Sequence, residues 1–400
     1  MNGRADAAEP SFEGLRVLWV AQTFHPTVGG AETYVHELAM EMARKGADVV
    51  VMAPDRRDDP PTGETPEGAA PYGYRLLRCD FHQGWMLKVL YHLRFIPFAF
   101  ELRRVLADVR PDIVHFQYAS PFAILYHQAR LAGARGVFAT AHGQDILFMQ
   151  NDLLGHFIFH RVAEGLDAVF MASDESERMV MDGTTRMANL RTVYCGTRPD
   201  LFVPVPRAPG PRVVLSVCRL VRRKRVDLII DAFDAIADRH RDAVLHIVGG
   251  GEERPRLESR ARSAAASDRI HFLGKLPAED LVREFQSCYV HVMAPMSVPE
   301  RNEMEGFGIA SIEAMSCGRP VIGSTDGGIR SAIREGPDGW GLIFEQGNAE
   351  ALAESMDRML SRPDEAEDMG RRGRRAVLER FNWDVISDLM LEEYWRALTR

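Results

Sequence analysis

Short apolar, β-rich runs alternate with helical segments along most of this 400-residue chain, and this alternation constrains the fold more than any other feature. In the first half the runs are "LRVLWVA", "ADVVVMAP", "PDIVHFQ", "GVFATA" and "LDAVFMA". Between the first two lies "AETYVHELAMEMARKG", in which apolar residues recur at helical spacing until Gly46 ends the helix. Strands that alternate with helices form parallel sheets with helices on both faces. The pattern therefore predicts a doubly wound α/β fold.

The alternation stops in the proline-rich stretch "PDLFVPVPRAPGPR" and then begins again. The later runs are "VVLSVCR", "AVLHIVGGG", "RIHFLGK", "YVHVMAP", "RPVIGS" and "GLIFEQG". Because the chain is longer than one domain usually is, we expect two domains in tandem. We predict a disordered leader at 1–14, Rossmann-like domains at 15–202 and 203–380, and a helix at 381–400 that crosses back to the first domain. Ligands of such sheets bind beyond the carboxyl ends of the strands, so we expect the site in a cleft between the two domains.

Composition restricts the class of protein. The net charge of −8 argues against nucleic acid as the main partner. The five cysteines are scattered, with no CxxC pair and no metal-ligand spacing, which indicates reduced thiols and a cytoplasmic location. The polar N-terminus carries no apolar signal-peptide region, and no run of about 18 apolar residues predicts a membrane-spanning helix.

Two motifs of the first half directly follow predicted strands, at the edge of the sheet where we expect the ligand. In "HPTVGGAETYV", Gly29 and Gly30 allow a close turn before a helix, whose unpaired N–H groups suit a phosphate; a tight turn without ligand is the alternative. In "AHGQDI", His142 would emerge at the top of the sheet, either to contact a ligand or as a hydrogen-bonded structural residue. We expect Asp145 to cap the next helix.

The motif "CRLVRRKRVDLIIDAF" follows the first strand of the second half. Arg219 and Lys224 would face the cleft and pair with a diphosphate as it gains charge on leaving. A solvated basic turn is the alternative, and we expect Arg222, Arg223 and Arg225 to belong to such a turn.

The stretch "EMEGFGIASIEAMSCGRPVIGS" places two acids on either side of a flexible turn. Gly306 and Gly308 let the main chain approach a ligand, and a helix is predicted over 309–316. Glu313, near the start of that helix, is suited to accept two hydrogen bonds from a ribose diol, and Glu305 to meet sugar hydroxyls. Alternatively, Glu313 is solvated and Glu305 complements the helix dipole.

Two further stretches carry weaker signals. "IVGGGEERPRL" places Gly251 after a strand and before a helix, where it would border a nucleotide. The segment 84–110 is aromatic, apolar and basic, which suits a membrane surface. Pro97 interrupts it, and a pair of buried helices is the alternative.

In this order, "PTVGGAETYVHELA", "HGQD", "RLVRRKRVDLIIDAF" and "EGFGIASIEAMSCGRPVIG" resemble the retaining glycosyltransferases of family 4, which have the GT-B fold. The resemblance implies that a nucleotide-diphosphate sugar binds mainly to the second domain. Glu313 would hold the ribose, and Arg219 with Lys224 would neutralise the diphosphate. Main-chain amides that meet phosphate and sugar would come from Phe307, Gly308 and Ile309.

The same resemblance implies the rest of the reaction. Gly30 would approach the diphosphate, His142 would meet the sugar near its reacting centre, and Glu305 would lie against the donor sugar. Transfer would retain stereochemistry by front-side attack, through charge stabilisation and positioning. We expect no cofactor and no obligatory metal, since no Asp-x-Asp motif follows a strand.

This chain departs from the family at three positions. Arg225 stands where a glycine is common after the lysine, Cys195 where an asparagine is common, and Ser331 where a glutamate is common. The segment "PMSVPERNEMEGFG" is similar to that of lipid-acceptor mannosyltransferases, but a small molecule, a glycan or a lipid-linked acceptor all stay open, as does the oligomeric state. The alternative functions are a nucleotide-sugar epimerase, a sugar phosphorylase and a non-catalytic nucleotide-sugar-binding subunit.

Overall fold

The computed structural model describes residues 10–25, 29–55, 73–79, 95–119, 121–143, 145–146, 153–182, 187–207, 209–298 and 303–400. These residues form two compact units. The first unit lies within Met1–Met171, Met179–Val193 and Ile386–Arg400. The second lies within Ala172–Arg178 and Tyr194–Val385. Neither unit is therefore one continuous stretch of chain.

The first unit is built on a seven-stranded sheet with the strand order β3-β2-β1-β4-β5-β6-β7. All its neighbouring strands are parallel. The strands are β1 Arg16–Val20, β2 Asp48–Pro54, β3 Arg75–Cys79, β4 Ile113–Phe116, β5 Gly136–Ala141, β6 Ala168–Met171 and β7 Leu190–Thr192. Five of them confirm the predicted runs, whereas β3 and β7 were not predicted. The strand order reverses between β1 and β4, and this is where open α/β sheets bind ligands.

Helices connect these strands. They are α1 Gly30–Arg44, α2 Phe95–Val109, α3 Tyr126–Leu131, α4 Leu153–Gly165 and α5 Asp174–Asp182, with a 3-10 turn at Pro121–Leu125. The part of α5 up to Arg178 belongs to the second unit. The first helix buries Tyr34, Leu38 and Met42, as its spacing predicts, and ends just before Gly46. Pro97 does not break α2, because it lies in the first turn, where no intrahelical N–H bond is lost. The part of the 84–110 prediction before residue 95 lies outside the described residues.

The second unit is built on a six-stranded parallel sheet with the order β10-β9-β8-β11-β12-β13. The strands are β8 Arg212–Val217, β9 Ala243–Val248, β10 Ile270–Gly274, β11 Val290–Met293, β12 Val321–Ser324 and β13 Gly341–Phe344. All six confirm predicted runs. This order reverses between β8 and β11, so each unit has an edge of the kind at which open α/β sheets bind ligands.

The helices of the second unit follow the same alternation. They are α6 Val226–Ile236, α7 Arg254–Arg262, α8 Ala278–Ser287, α9 Ile309–Ser316, α10 Ile329–Ala332, α11 Ala349–Ser361 and α12 Pro363–Arg380, with 3-10 turns at Arg222–Lys224 and Ser267–Arg269. The predicted helix over 309–316 is confirmed as α9. The apolar face of α6, with Leu228, Ile229 and Phe233, packs into the core beneath the sheet.

The chain ends in α13 Trp383–Leu398, most of which belongs to the first unit. Tyr394 lies in the core of that unit, where its hydroxyl is 2.6 Å from Nδ1 of buried His115. Phe12, which falls in the predicted leader, is also buried and meets the Tyr394 ring edge-on at 6.5 Å. Within the described residues, no helix has both the length and the apolar character needed to cross a bilayer.

Candidate functional site

Most of the predicted donor residues of the second unit lie at the carboxyl edge of its sheet. Arg219 and Lys224 follow β8, Gly251 follows β9, and Glu305 lies between β11 and α9. Glu313 is half-buried on α9. The structure places these predicted residues at one edge of the sheet, but their contacts with one another differ from those expected, and their donor roles stay predictions.

A buried ion triad forms the centre of this edge. The Oε2 atom of Glu305 accepts hydrogen bonds from Nη1 of Arg223 at 2.6 Å and from Nζ of Lys224 at 2.5 Å. The three residues are only 8–9% exposed. The prediction that Arg223 belongs to a solvated turn is therefore wrong. The 3-10 turn at Arg222–Lys224 directs two consecutive side chains inward, which spacing alone did not indicate.

The charge of Glu305 is strongly stabilised in this triad. Burial alone would raise the pKa of the carboxyl group, but the charges of Lys224 and Arg223 outweigh it and lower the pKa from 4.5 to about 2. Among the described residues, Glu305 is the only carboxylate within 4.0 Å of these two cations. Asp326 is also buried, but its carboxylate accepts its hydrogen bond from Ser297. Two cations are therefore in direct contact with one anion at the sheet edge.

Arg219 has a different environment. Its side chain is exposed, and it takes part in no hydrogen bond or ion pair found within the described residues. A guanidinium group with this freedom is available to a ligand at little cost in desolvation. Its predicted role stays a prediction.

The turn before α9 is shaped by close backbone packing. Gly308 has a φ of 91°, and a Cβ there would lie 2.5 Å from Cδ1 of Ile329. A Cβ at Gly328 would lie 1.8 Å from the carbonyl oxygen of Gly306, and the Gly328 N–H donates to the Glu305 carbonyl at 2.9 Å. The Gly-Gly pair near residue 328 therefore allows two strand-end loops to touch, a role that the sequence did not reveal.

The ring of Phe307 is packed against other aromatic rings, so only the main chain of this residue is available to a ligand. The ring is buried, stacks on Tyr194 with centroids 5.7 Å apart, and meets Phe381 at 5.7 Å. Ile309, at the first position of α9, is half-buried.

Gly251 also has a packing role. A Cβ at this position would lie 2.2 Å from the carbonyl oxygen of Leu220, and one at Gly249 would lie 1.9 Å from that of Cys218. These glycines let the loop after β9 contact the loop that carries Arg219. This contact explains Gly251 without a nucleotide, and its predicted donor role stays a prediction.

In the first unit, a carboxylate lies at the predicted phosphate site. Gly29 precedes α1 and Gly30 is its first residue. Glu32 is buried in the first turn, and its Oε2 would be 2.5 Å from a Cβ at Gly29. An acid here already complements the positive end of the helix dipole. The geometry therefore explains Gly29 by the neighbouring carboxylate.

His142 lies at the carboxyl end of β5 between the rings of Tyr34 and Tyr118, with centroids 5.1 and 5.2 Å away. Burial lowers its pKa to about 4, so the imidazole is neutral near pH 7. Its Nε2 atom is buried without a hydrogen-bond partner among the described residues. A neutral ring nitrogen with unused capacity is suited to a sugar hydroxyl.

Asp145 supports this loop in a way that we did not predict. Its Oδ1 accepts from the N–H groups of His142 and Gly143 at 3.0 Å, and its Oδ2 accepts from the N–H of Ala119 at 3.2 Å. The carboxylate thus binds the loops that precede it. Residues 147–152 lie outside the described residues, so the predicted capping of the next helix by Asp145 stays a prediction.

The remaining departures have local explanations. Cys195 is buried, and burial raises the pKa of its thiol to about 12, which makes it unreactive. Ser331 accepts a hydrogen bond from the Asp174 N–H at 3.0 Å. Within the described residues, no group of three His, Cys, Asp or Glu side chains is placed to hold a metal ion. The predicted absence of a metal requirement stays a prediction.

Comparisons with known proteins agree with the fold and the motifs. The model of the glycosyl transferases group 1 matches residues 197–376, and that of glycosyltransferase family 4 matches residues 28–201. A relative is the GDP-mannose-dependent alpha-(1-6)-phosphatidylinositol monomannoside mannosyltransferase of Mycobacterium tuberculosis, 27% identical over 93% of this chain and 96% of that protein.

Two solved structures have the same architecture. Sucrose-phosphate synthase from Thermosynechococcus elongatus is 24% identical with a TM-score of 0.80, covering 96% of this chain and 99% of that one. Anabaena HepE in complex with UDP-glucose is 16% identical with a TM-score of 0.73, covering 96% and 100%. The two family models together span residues 28–376. This chain therefore belongs to the family 4 glycosyltransferases, group 1, and is a glycosyltransferase of the GT-B fold.

Proposed function

We propose that this glycosyltransferase moves a hexose from a UDP- or GDP-sugar to an acceptor hydroxyl with retention of configuration. The observation that carries the proposal is the buried triad, in which Arg223 and Lys224 contact a single carboxylate, Glu305. Buried cations in excess over their contacting anions are costly unless another anion approaches. The diphosphate of a nucleotide sugar is such an anion, and exposed Arg219 lies on the same loop to meet it.

In the proposed reaction, the bond between the anomeric carbon and the diphosphate oxygen breaks. The acceptor oxygen bonds to the same face of that carbon, and its proton passes to the departing phosphate. Arg219 and Lys224 stabilise the charge on the leaving group. Glu313 holds the ribose, neutral His142 accepts or donates a hydrogen bond at the sugar, and the residues do not form a covalent intermediate.

The donor class is supported by the names of related proteins. The M. tuberculosis relative is GDP-mannose-dependent, and the Anabaena structure contains UDP-glucose. A thermal-shift screen with UDP- and GDP-hexoses would identify the donor, because a ligand that binds the native state raises its apparent stability.

The sharpest test of the mechanism is Arg219→Ala. Since this side chain is exposed and unpaired among the described residues, its removal should leave the melting temperature unchanged. We expect nucleoside diphosphate release in the presence of acceptor to fall roughly 100-fold or more. Arg222→Ala, which removes a neighbouring exposed arginine, is the matched control and should retain full activity.

The same assay separates the alternatives. Wild-type turnover in folded Arg219→Ala would contradict the assignment. An altered donor sugar without transfer would indicate an epimerase, release of a sugar 1-phosphate from a glycan would indicate a phosphorylase, and binding without turnover would indicate a binding subunit.

We also propose that α2 rests on an anionic membrane surface and that the chain works in the cytoplasm. Ile96 and Phe100 are 55% and 71% exposed on this helix, followed by exposed Arg103 and Arg104. Apolar and basic residues on one helix face suit anionic lipid headgroups. The five cysteines are free, as expected of a reducing compartment.

Vesicle co-sedimentation tests the membrane contact. Phe100→Ser should weaken binding to vesicles with anionic lipid, since the side chain would no longer insert. Leu131→Ser, at an 89% exposed apolar position on α3, is the matched control and should not change binding. Equal binding of all three proteins would contradict the proposal.

A further inference from the structure

A pocket of about 420 Å³ lies in the second unit, and none of its lining residues was assigned to the donor. We name it the arginine pocket after Arg330 on α10, Arg334 just beyond that helix, and Arg380 at the end of α12. Tyr194 and Trp340 contribute the aromatic part of its wall. The volume is within the range of small-molecule sites.

The three guanidinium groups of this pocket form no ion pair with an acid of the described residues, although two acids also line it. Within the described residues, Arg330, Arg334 and Arg380 form no ion pair within 4.0 Å, whereas exposed arginines elsewhere, such as Arg104 and Arg371, do. The positive charges of the pocket are therefore available to a ligand.

The two acids in the wall are already engaged. Both carboxylate oxygens of Asp174 accept from the Tyr194 hydroxyl at 3.0 Å, and Oε1 of Glu335 accepts from the Ile343 N–H at 2.7 Å. Neither carboxylate lies within 4.0 Å of an arginine guanidinium group of the described residues, and each accepts a hydrogen bond from a neutral donor. The pocket wall therefore carries three arginines that form no ion pair among the described residues, and two carboxylates that are held by hydrogen bonds from neutral donors.

Aromatic rings hold two of the arginines in place. Arg380 lies 5.6 Å from the Tyr194 ring centre, and Arg334 lies 5.9 Å from that of Trp340. The Trp340 ring is itself fixed by a hydrogen bond from Nε1 to the Ala332 carbonyl at 2.9 Å. Arg380 also forms a side-chain hydrogen bond with Tyr194. A ring contact orients a guanidinium group and leaves further N–H donors that can bind an oxyanion.

We propose that the arginine pocket binds a small organic phosphate, with the phosphate at Arg330, Arg334 and Arg380 and its organic part against the aromatic wall. Planar guanidinium groups bind phosphate oxygens through paired hydrogen bonds. Tyr194 also stacks on Phe307, next to Glu305, so a bound ligand touches a ring that supports the turn before α9. None of the residues that line the arginine pocket is a predicted donor residue.

Calorimetry on the full chain in phosphate-free buffer tests this proposal, with hexose 6-phosphate, inorganic phosphate and the neutral hexose as probes. We expect saturable binding of hexose 6-phosphate near one per chain, weaker binding of inorganic phosphate, and none of the neutral hexose. Arg330→Ala and Arg334→Ala should each weaken binding roughly tenfold. Arg375→Ala removes an exposed arginine outside the pocket and is the matched control.

Two further variants distinguish the outcomes. Glu335→Gln keeps its acceptor oxygen but removes a negative charge, so it should tighten binding severalfold, which a disrupted fold would not do. Arg219→Ala should leave binding unchanged. Four results would each overturn the proposal: no saturable binding, equal affinity for hexose 6-phosphate and inorganic phosphate, an equal loss of binding in Arg375→Ala, or a loss of binding in Arg219→Ala alone. The last result would place the phosphate at the donor site. Because the readout is binding, failure of the proposed transfer reaction does not affect it.

Discussion

The buried triad makes Glu305→Gln the most informative substitution in this chain. Gln keeps the shape of the side chain and one acceptor oxygen, but removes the only carboxylate that contacts Arg223 and Lys224 among the described residues. Two cations, each less than a tenth exposed, then lie side by side without a contacting anion. The variant therefore measures how strongly the fold depends on this charge.

Two independent arguments give the magnitude. The drop of the Glu305 pKa from 4.5 to about 2 corresponds to about 3 kcal/mol of stabilisation of the ionised form. Removing one partner from a buried ion pair typically costs about 3–5 kcal/mol. We therefore expect Glu305→Gln to lower the free energy of unfolding by about 3 kcal/mol at pH 7.

The pH dependence provides a second signature. The folded-state pKa of Glu305 is lowered, so its stabilisation is fully present well above pH 4.5 and is lost as the pH falls towards 2. The difference in unfolding free energy between wild type and variant should be constant from pH 7 to about pH 5.5. Below about pH 4.5 it should shrink by roughly 1.4 kcal/mol per pH unit.

Urea denaturation, followed by both tryptophan fluorescence and circular dichroism, measures this difference, and the two probes reveal whether the units unfold separately. Glu367→Gln is the matched control, because Glu367 pairs with Arg371 on the exposed surface of α12. Exposed pairs contribute little, so this control should remain near wild type. A loss below about 1 kcal/mol for Glu305→Gln, or a difference that does not change between pH 5.5 and 3.5, would refute the reasoning.

Two further substitutions test the backbone and the first unit. Arg225 has a φ of 46°, in the left-handed region that favours glycine, so Arg225→Gly should be about 1 kcal/mol more stable than Arg225→Ala by urea denaturation; equal stability would show that the residue is not strained. Tyr394→Phe removes the hydroxyl 2.6 Å from buried His115 Nδ1, and should destabilise the chain by about 1–3 kcal/mol by the same measurement; an unchanged midpoint would mean that the ring nitrogen finds another partner.

Sequence patterns predicted the central strands but not all of the edges. Interior strands such as β4 and β11 are buried throughout and read as continuous apolar runs. The edge strand β3, "RLLRC", is flanked by arginines and only partly buried, and β7 has three residues. An edge strand pairs on one side only, so neither burial nor periodicity distinguishes it from a loop.

The sequence predicted where the candidate site residues lie in the fold, but not which of their charged side chains contact one another. Glycines and charged residues after β8 and β11 indicated the ligand edge, because the carboxyl ends of parallel strands meet there. Which of four basic residues in "RRKR" turns inward depends on the 3-10 turn and on the left-handed backbone of Arg225, neither of which has a periodic signature. Gly328 and Tyr194 were overlooked for a similar reason, since their contacts come from distant segments.

The triad also changes how the four predicted catalytic residues must be tested. Glu305 and Lys224 stabilise the second unit through each other, so loss of activity in their variants mixes folding with catalysis. Arg219 is exposed, and its contribution to folding is small because no described residue pairs with it. His142 falls between these cases, since its ring is packed by two tyrosines while Nε2 is unused. If the diphosphate binds where we propose, added nucleoside diphosphate should raise the stability of the native state. This increase in stability should persist in His142→Ala and be smaller in Arg219→Ala. It should be largest in proteins that keep the triad of Arg223, Lys224 and Glu305 intact.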